Sequence, residues 1–151
     1  MNWDWVAIEA IASIIGGLGV IASIIFLIYE VRHNARAIEG ATVQSLMSLE
    51  REVFSLLADN ADLMTKGGTK YKSLTKVEVY KYERMVGSYM SLIYSAFVQN
   101  EGKLVDDDVW AAYLNALSRH MEAPGFFLAW DKIKDGYPES FLNALAQRLK
   151  E

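Results

Sequence analysis

The sequence predicts an all-α protein: one N-terminal transmembrane helix, continuing in helical period beyond the membrane, followed by a small helical bundle. Three observations carry this. Residues 10–29 form a run of 20 without a formal charge. The remainder shows apolar residues recurring every three or four positions, the period of a helix with one buried face. No stretch alternates convincingly with the period of two that a half-buried strand requires.

At 1.5 Å per residue the uncharged run reaches about 30 Å, the thickness of a bilayer's hydrocarbon core. Trp3 and Trp5 precede it and Tyr29 closes it, where amphipathic rings settle at the two headgroup levels. A cleaved signal peptide wants a positively charged start and a shorter apolar run, whereas "MNWDWVAIE" carries Asp4 and Glu9. A helix buried in a soluble core is the competing reading. Arg32 and Arg36 follow the run and no Lys or Arg precedes it, so the positive-inside rule puts the C-terminal part in the cytoplasm.

Within the run, "IASIIGGLGVIASII" carries three glycines and two serines. A glycine in an isolated helix costs about 1 kcal/mol relative to alanine, so lipid alone is a poor reason for them. On a helical projection Ala12, Ser13, Gly16, Gly19 and Ser23 share a stripe with Glu9, while the isoleucines fall largely elsewhere. Small residues at this spacing let membrane helices pack closely and let hydroxyls bond across the contact. With one spanning segment in the chain, the partner is a second copy or a foreign helix. In a ring of subunits Glu9 would form a circle of carboxylates at a pore mouth; otherwise it is an interfacial residue reaching headgroups and water.

Beyond Tyr29, Ile38, Ala41, Leu46, Leu49, Val53, Leu56 and Leu57 keep a helical period, with Gly40 as a weak interruption. "KGGTKYKSLTK" reads as a break punctuated by Gly67 and Gly68. Thr75 and Glu78 form a capping box that opens a helix with Val79, Tyr82, Val86, Tyr89, Ile93 and Phe97 on one face. That helix ends near "NEGK", with Gly102 expected just past its last turn. "VDDDVW" opens the next, with Asp106 as cap and Asp107 and Asp108 at the positive end of the dipole. Its expected buried face is Val109, Tyr113, Ala116 and Leu117. "EAPGF" breaks it, a short segment around Phe127 and Trp130 follows, and after "DGYPES" a last helix carries Phe141, Leu142, Leu145 and Leu149. The count is about six helices, in two regions: 1–36, the spanning helix with its basic flank, and 37–151, the helical domain.

A formal net charge of −4 argues against a dedicated nucleic-acid binder, which needs a basic field. The chain has no cysteine, so it has neither disulfide frame nor thiolate chemistry. Lys66, Lys70, Lys72 and Lys76 stand with no acid between Asp62 and Glu78, a pattern that suits anionic lipid as well as a solvated turn. The Walker A spacing is absent there. Asp106, Asp107 and Asp108 lack the alternate spacing of a calcium loop. His120 and Glu122 do not share a helix face, so no metal site is expected, and no spacing recommends a catalytic triad. The expectation is a chain that is not an enzyme and carries no cofactor.

The junction "LIYEVRHNARAIEGATVQSL" resembles a signature of a large uncharacterised family of small bacterial membrane proteins. In that family a single N-terminal spanning helix ends in a Leu-rich, Gln-x-Arg-x-Asn-like motif. Arg32 and Asn34 match it, and Glu30 stands where the family often has Gln. "GKLVDDDVW" and "APGFFLAW…YPESF" look like the family's C-terminal pattern. The resemblance implies a single-pass topology and a bacterial envelope setting, and brings no reaction and no catalytic residues; with the positive-inside reading, the expectation is the bacterial inner membrane with the N-terminus outside.

Overall fold

A computed structural model describes residues 4–148, and among them it is all α-helical with no strand. Six α-helices occur in order: α1 (Trp5–Asp59), α2 (Ala61–Lys70), α3 (Lys76–Glu101), α4 (Asp107–Met121), α5 (Pro124–Ile133) and α6 (Glu139–Arg148). Two short 3₁₀ turns, Tyr71–Ser73 and Lys134–Gly136, stand before α3 and α6. The chain divides into two compact units, Met1–Gly40 and Ala41–Glu151.

The first unit is the N-terminal part of α1. Asp4 starts it: its carbonyl accepts from Ala7 and Ile8, and its carboxylate accepts from the Val6 amide at 3.2 Å. This is the side-chain cap that satisfies an otherwise orphaned donor at a helix start. Gly40 does not interrupt the helix.

The second unit is built around α3, whose Tyr82, Met85, Val86, Tyr89, Met90, Leu92, Ile93, Ala96 and Phe97 are all buried. α2, α4 and α5 pack against it, and α6 closes one end by burying Phe141 and Leu145. The C-terminal part of α1 contributes Leu46 and Val53 to the core and half-buries Leu49 and Leu57, whereas Ala41 and Leu56 stay exposed. α4 turns Leu114 and Leu117 inward, with Val109, Tyr113 and Ala116 half-buried beside them. Tyr94, Phe97, Tyr137 and Phe141 meet in edge and tilted ring contacts of 5.2–5.7 Å where α6 seals the bundle. Such pairs contribute about 0.5–1.5 kcal/mol beyond their buried area.

Three local expectations meet a different structure. Gly67 and Gly68 do not break a helix; they lie buried inside α2. The reason is tertiary. A Cβ on Gly67 would stand 2.3 Å from the Tyr82 ring, and one on Gly125 of α5 would stand 1.8 Å from the Gly67 carbonyl oxygen. The glycines allow α2, α3 and α5 to approach backbone to side chain and backbone to backbone. The break falls instead at Asn60 before α2 and at Leu74 before the capping box of α3.

At the end of α3, Gly102 keeps an ordinary right-handed conformation with φ −74°, and Lys103 takes the left-handed one with φ 57°. Leu104 donates to the Gln99 carbonyl and Lys103 to that of Asn100, each at 2.9 Å, so the helix closes in a Schellman pattern one residue later than expected. Asn100, 7% exposed, holds this corner: its amide donates to the Val105 carbonyl at 3.1 Å and to the Asp107 carboxylate at 2.8 Å. Asp106 occupies the cap position of α4 without a side-chain cap bond.

Candidate functional site

The N-terminal unit offers an exposed apolar surface. Its most apolar 18-residue stretch has a mean hydropathy of 2.6, and none of it is buried by the rest of the protein. Ala12, Ser13, Gly16, Gly19 and Ser23 lie within α1 on an arc of about 120° with Glu9, at about 100° per residue. Val20 and, beyond Ser23, Leu27 are the branched residues of the run that fall inside the same arc. A Cβ added at Gly16, Gly17 or Gly19 would meet nothing within 4 Å. Ser23 donates to the Gly19 carbonyl at 2.8 Å, so its hydroxyl proton is satisfied within the helix. Glu9 and Trp5 are exposed near one end of the apolar run. At the other, Tyr29 stacks on His33 at 6.2 Å, and both flank Arg32 and Arg36 around a shallow depression. Trp3 lies outside the described residues.

The four lysines are not equivalent. Lys66 sits in α2 and donates to Glu78 at 2.6 Å. Glu78 also accepts from the Thr75 amide at 2.8 Å, while its own amide donates to the Thr75 hydroxyl at 3.3 Å, completing the capping box. The bonds from Lys66 first and Thr75 second hold the Glu78 carboxyl down at about 2. Lys66 is thus committed within the fold, and only Lys70, Lys72 and Lys76 of the set remain exposed without an ion pair among the described residues. The segment carrying them is anchored. Tyr71 is buried and donates to Glu83 at 2.6 Å, and Lys132 from α5 donates to the same oxygen at 3.0 Å while standing 5.2 Å over the Tyr71 ring. Burial raises the Glu83 carboxyl, but the bonds from Tyr71 and Lys132 outweigh it and hold the group below its ordinary range. Burial, then the bond to Glu83, pushes the Tyr71 phenol up.

A cleft that sequence spacing did not reveal lies beside α3. It encloses about 680 Å³ and is lined by Arg84, Gly87, Ser88, Ser91 and Tyr94 of α3 with Ile133 and Tyr137. The Tyr137 hydroxyl donates to the Gly87 carbonyl at 3.3 Å and lies 3.4 Å from that of Ser91. The α3 members recur at helical spacing, which was the one signal available; their neighbours Ile133 and Tyr137 stand far away in sequence, at the end of α5 and beyond it.

Asp106, Asp107 and Asp108 form a helix start, with Asp107 bonded to Asn100. His120 packs on Tyr89 at 4.5 Å and Phe126 at 5.5 Å between ring centroids, and burial first, then Arg119, pushes its imidazole below the ordinary range. Among the described residues no three metal-ligating side chains cluster. No known family, curated protein or solved structure matches the chain.

Proposed function

We propose that this chain is a single-pass membrane protein of the bacterial inner membrane, its N-terminus outside and its helical domain cytoplasmic, that self-associates through the small-residue stripe of α1. It acts as an oligomeric scaffold or assembly protein, and no reaction is assigned to it. The observation that carries the reading is the apolar part of α1, whose most apolar 18-residue stretch has a mean hydropathy of 2.6. Water is an unfavourable neighbour for that much hydrocarbon, at about 25 cal/mol per Å². Lipid removes the penalty along the isoleucine side. A second backbone against Gly16 and Gly19 recovers the packing that lipid cannot make with a glycine. Arg32 and Arg36 then stand at the inner headgroups.

The mass of the detergent-solubilised chain, corrected for bound detergent by light scattering, tests this. A discrete oligomer that Gly16→Leu or Gly19→Leu dissociates supports the stripe as the seam. A monomer, or an oligomer that both variants leave intact, refutes it. The alternatives use the same helix. A homo-oligomeric channel places the Glu9 ring at its mouth and requires cation conductance that Glu9→Gln alters. An accessory subunit of a larger membrane complex requires co-purification at fixed ratio with a different protein.

A further inference from the structure

We infer that the exposed face of α3 is a second membrane contact, which binds the anionic phospholipid headgroups of the leaflet next to the domain. It rests on the membrane-anchored reading above. Between Lys66 and Arg84 there are six cations, Lys66, Lys70, Lys72, Lys76, Lys81 and Arg84, against the two carboxylates Glu78 and Glu83. Both carboxylates are already engaged, Glu78 by Lys66 and Glu83 by Lys132 and Tyr71. The other five cations of this stretch are exposed and form no salt bridge among the described residues. This local excess runs against a chain whose net charge is −4.

The cations do not stand alone. At about 100° per residue, Lys76, Val77, Tyr80, Lys81 and Arg84 fall within an arc of about 140° on α3. Val77 is 66% and Tyr80 65% exposed, so a branched aliphatic and an aromatic ring stand out between positive charges. Lysines interleaved with apolar side chains are the composition of a surface that lies at a headgroup layer, where the cations meet phosphates and the apolar groups enter the acyl boundary. The Arg84 guanidinium lies 5.7 Å over the Tyr80 ring, and Arg84 also lines the cleft that holds Ser88, Ser91 and Tyr137. A guanidinium suits a phosphodiester. Tethering to a spanning helix keeps such a leaflet at high effective concentration, so individually weak contacts suffice.

The absence of cysteine allows a unique label. The full chain with Val77→Cys carries a polarity-sensitive fluorophore and is placed in nanodiscs of phosphatidylcholine, with or without phosphatidylglycerol. Expected is a blue shift that requires phosphatidylglycerol, is reversed by high salt, and is absent for a label at Ser118→Cys on α4. Each cation near an anionic surface strengthens binding roughly fivefold, so Lys76→Gln, Lys81→Gln and Arg84→Gln together weaken the response on the order of a hundredfold. No shift with phosphatidylglycerol, an equal shift in phosphatidylcholine alone, or a response to added duplex oligonucleotide in place of lipid overturns the inference. Retention of the chain in the discs after an alkaline wash reads the anchor separately. If the chain is not retained, the anchor fails, and the label's response to added phosphatidylglycerol vesicles still decides the face.

Discussion

Replacing Gly125 by alanine tests the packing logic of the helical domain most sharply. The new methyl would stand 1.8 Å from the Gly67 carbonyl oxygen, 2.8 Å from its carbon and 3.0 Å from the Gly68 oxygen. An ordinary contact begins near 3.4 Å, so a gap of about 1.6 Å must open between α2 and α5. All three opposing atoms are backbone, and no rotamer can relieve the overlap. Helix α5 also buries Phe126, Ala129 and Trp130, so moving it strips contacts from the core centre. A gap of 0.5–1 Å already forfeits a quarter to a half of a contact's attraction. Overpacking of this kind costs roughly 1–3 kcal/mol and sometimes more. Because the structure leaves no side chain to give way, a cost of about 3 kcal/mol is expected, equivalent to a fall in Tm of roughly 10–20 °C.

Gly68 supplies the control. There a Cβ would meet Ala123 at 3.6 Å and the Tyr82 hydroxyl at 3.9 Å, ordinary contacts, within the interior of α2. Gly68→Ala should therefore gain up to about 1 kcal/mol from helix propensity. The assay is thermal unfolding of the full chain in detergent, followed by near-ultraviolet circular dichroism, which follows the packed aromatic rings of the bundle. Equal midpoints for Gly125→Ala and Gly68→Ala would refute the argument that α2 and α5 meet through glycine.

Two further predictions concern the ends of helices and the aromatic core. Lys103→Gly should raise stability by about 1 kcal/mol, since a left-handed residue with a Cβ costs roughly 1–2 kcal/mol and this position is exposed; a midpoint in thermal unfolding that is unchanged or lower contradicts the Schellman assignment. His120 has its folded pKa depressed below 6.5, by burial and then by Arg119, so the unfolded chain binds the proton more readily. The stability this provides is present above 6.5 and is lost as pH falls through the depressed folded value. His120→Phe keeps a ring against Tyr89 and Phe126 and should flatten the decline below pH 6.5; identical urea midpoints against pH for both proteins would show that His120 does not titrate on unfolding.

Features that depend on a few neighbours along the chain were legible in the sequence. The all-α class follows from apolar spacing, and the apolar run at residues 10–29 from length and the absence of charge. The Thr75–Glu78 capping box reads directly because its two bonds close within one turn. The five small residues of the α1 stripe are likewise a matter of projection on one helix. Candidate-site features that depend on distant partners were not legible. Nothing in "TKGGTK" shows that a ring 15 residues later fills the space over Gly67, or that a helix near residue 125 presses on its carbonyl.

The same division separates Lys66 from the lysines after it. Charge counting treats them alike, yet folding sets Lys66 against Glu78 and turns Lys70, Lys72 and Lys76 outward. It also pairs Glu83 with Lys132 across 49 residues, and so leaves the exposed face of α3 basic. Local periodicity and capping determined which segments become helices, because those energies are collected within one or two turns. Which glycines serve packing, which charges stay unpaired and where the cleft beside Arg84 opens were decided only by the tertiary structure, because each requires atoms that meet after the helices have docked.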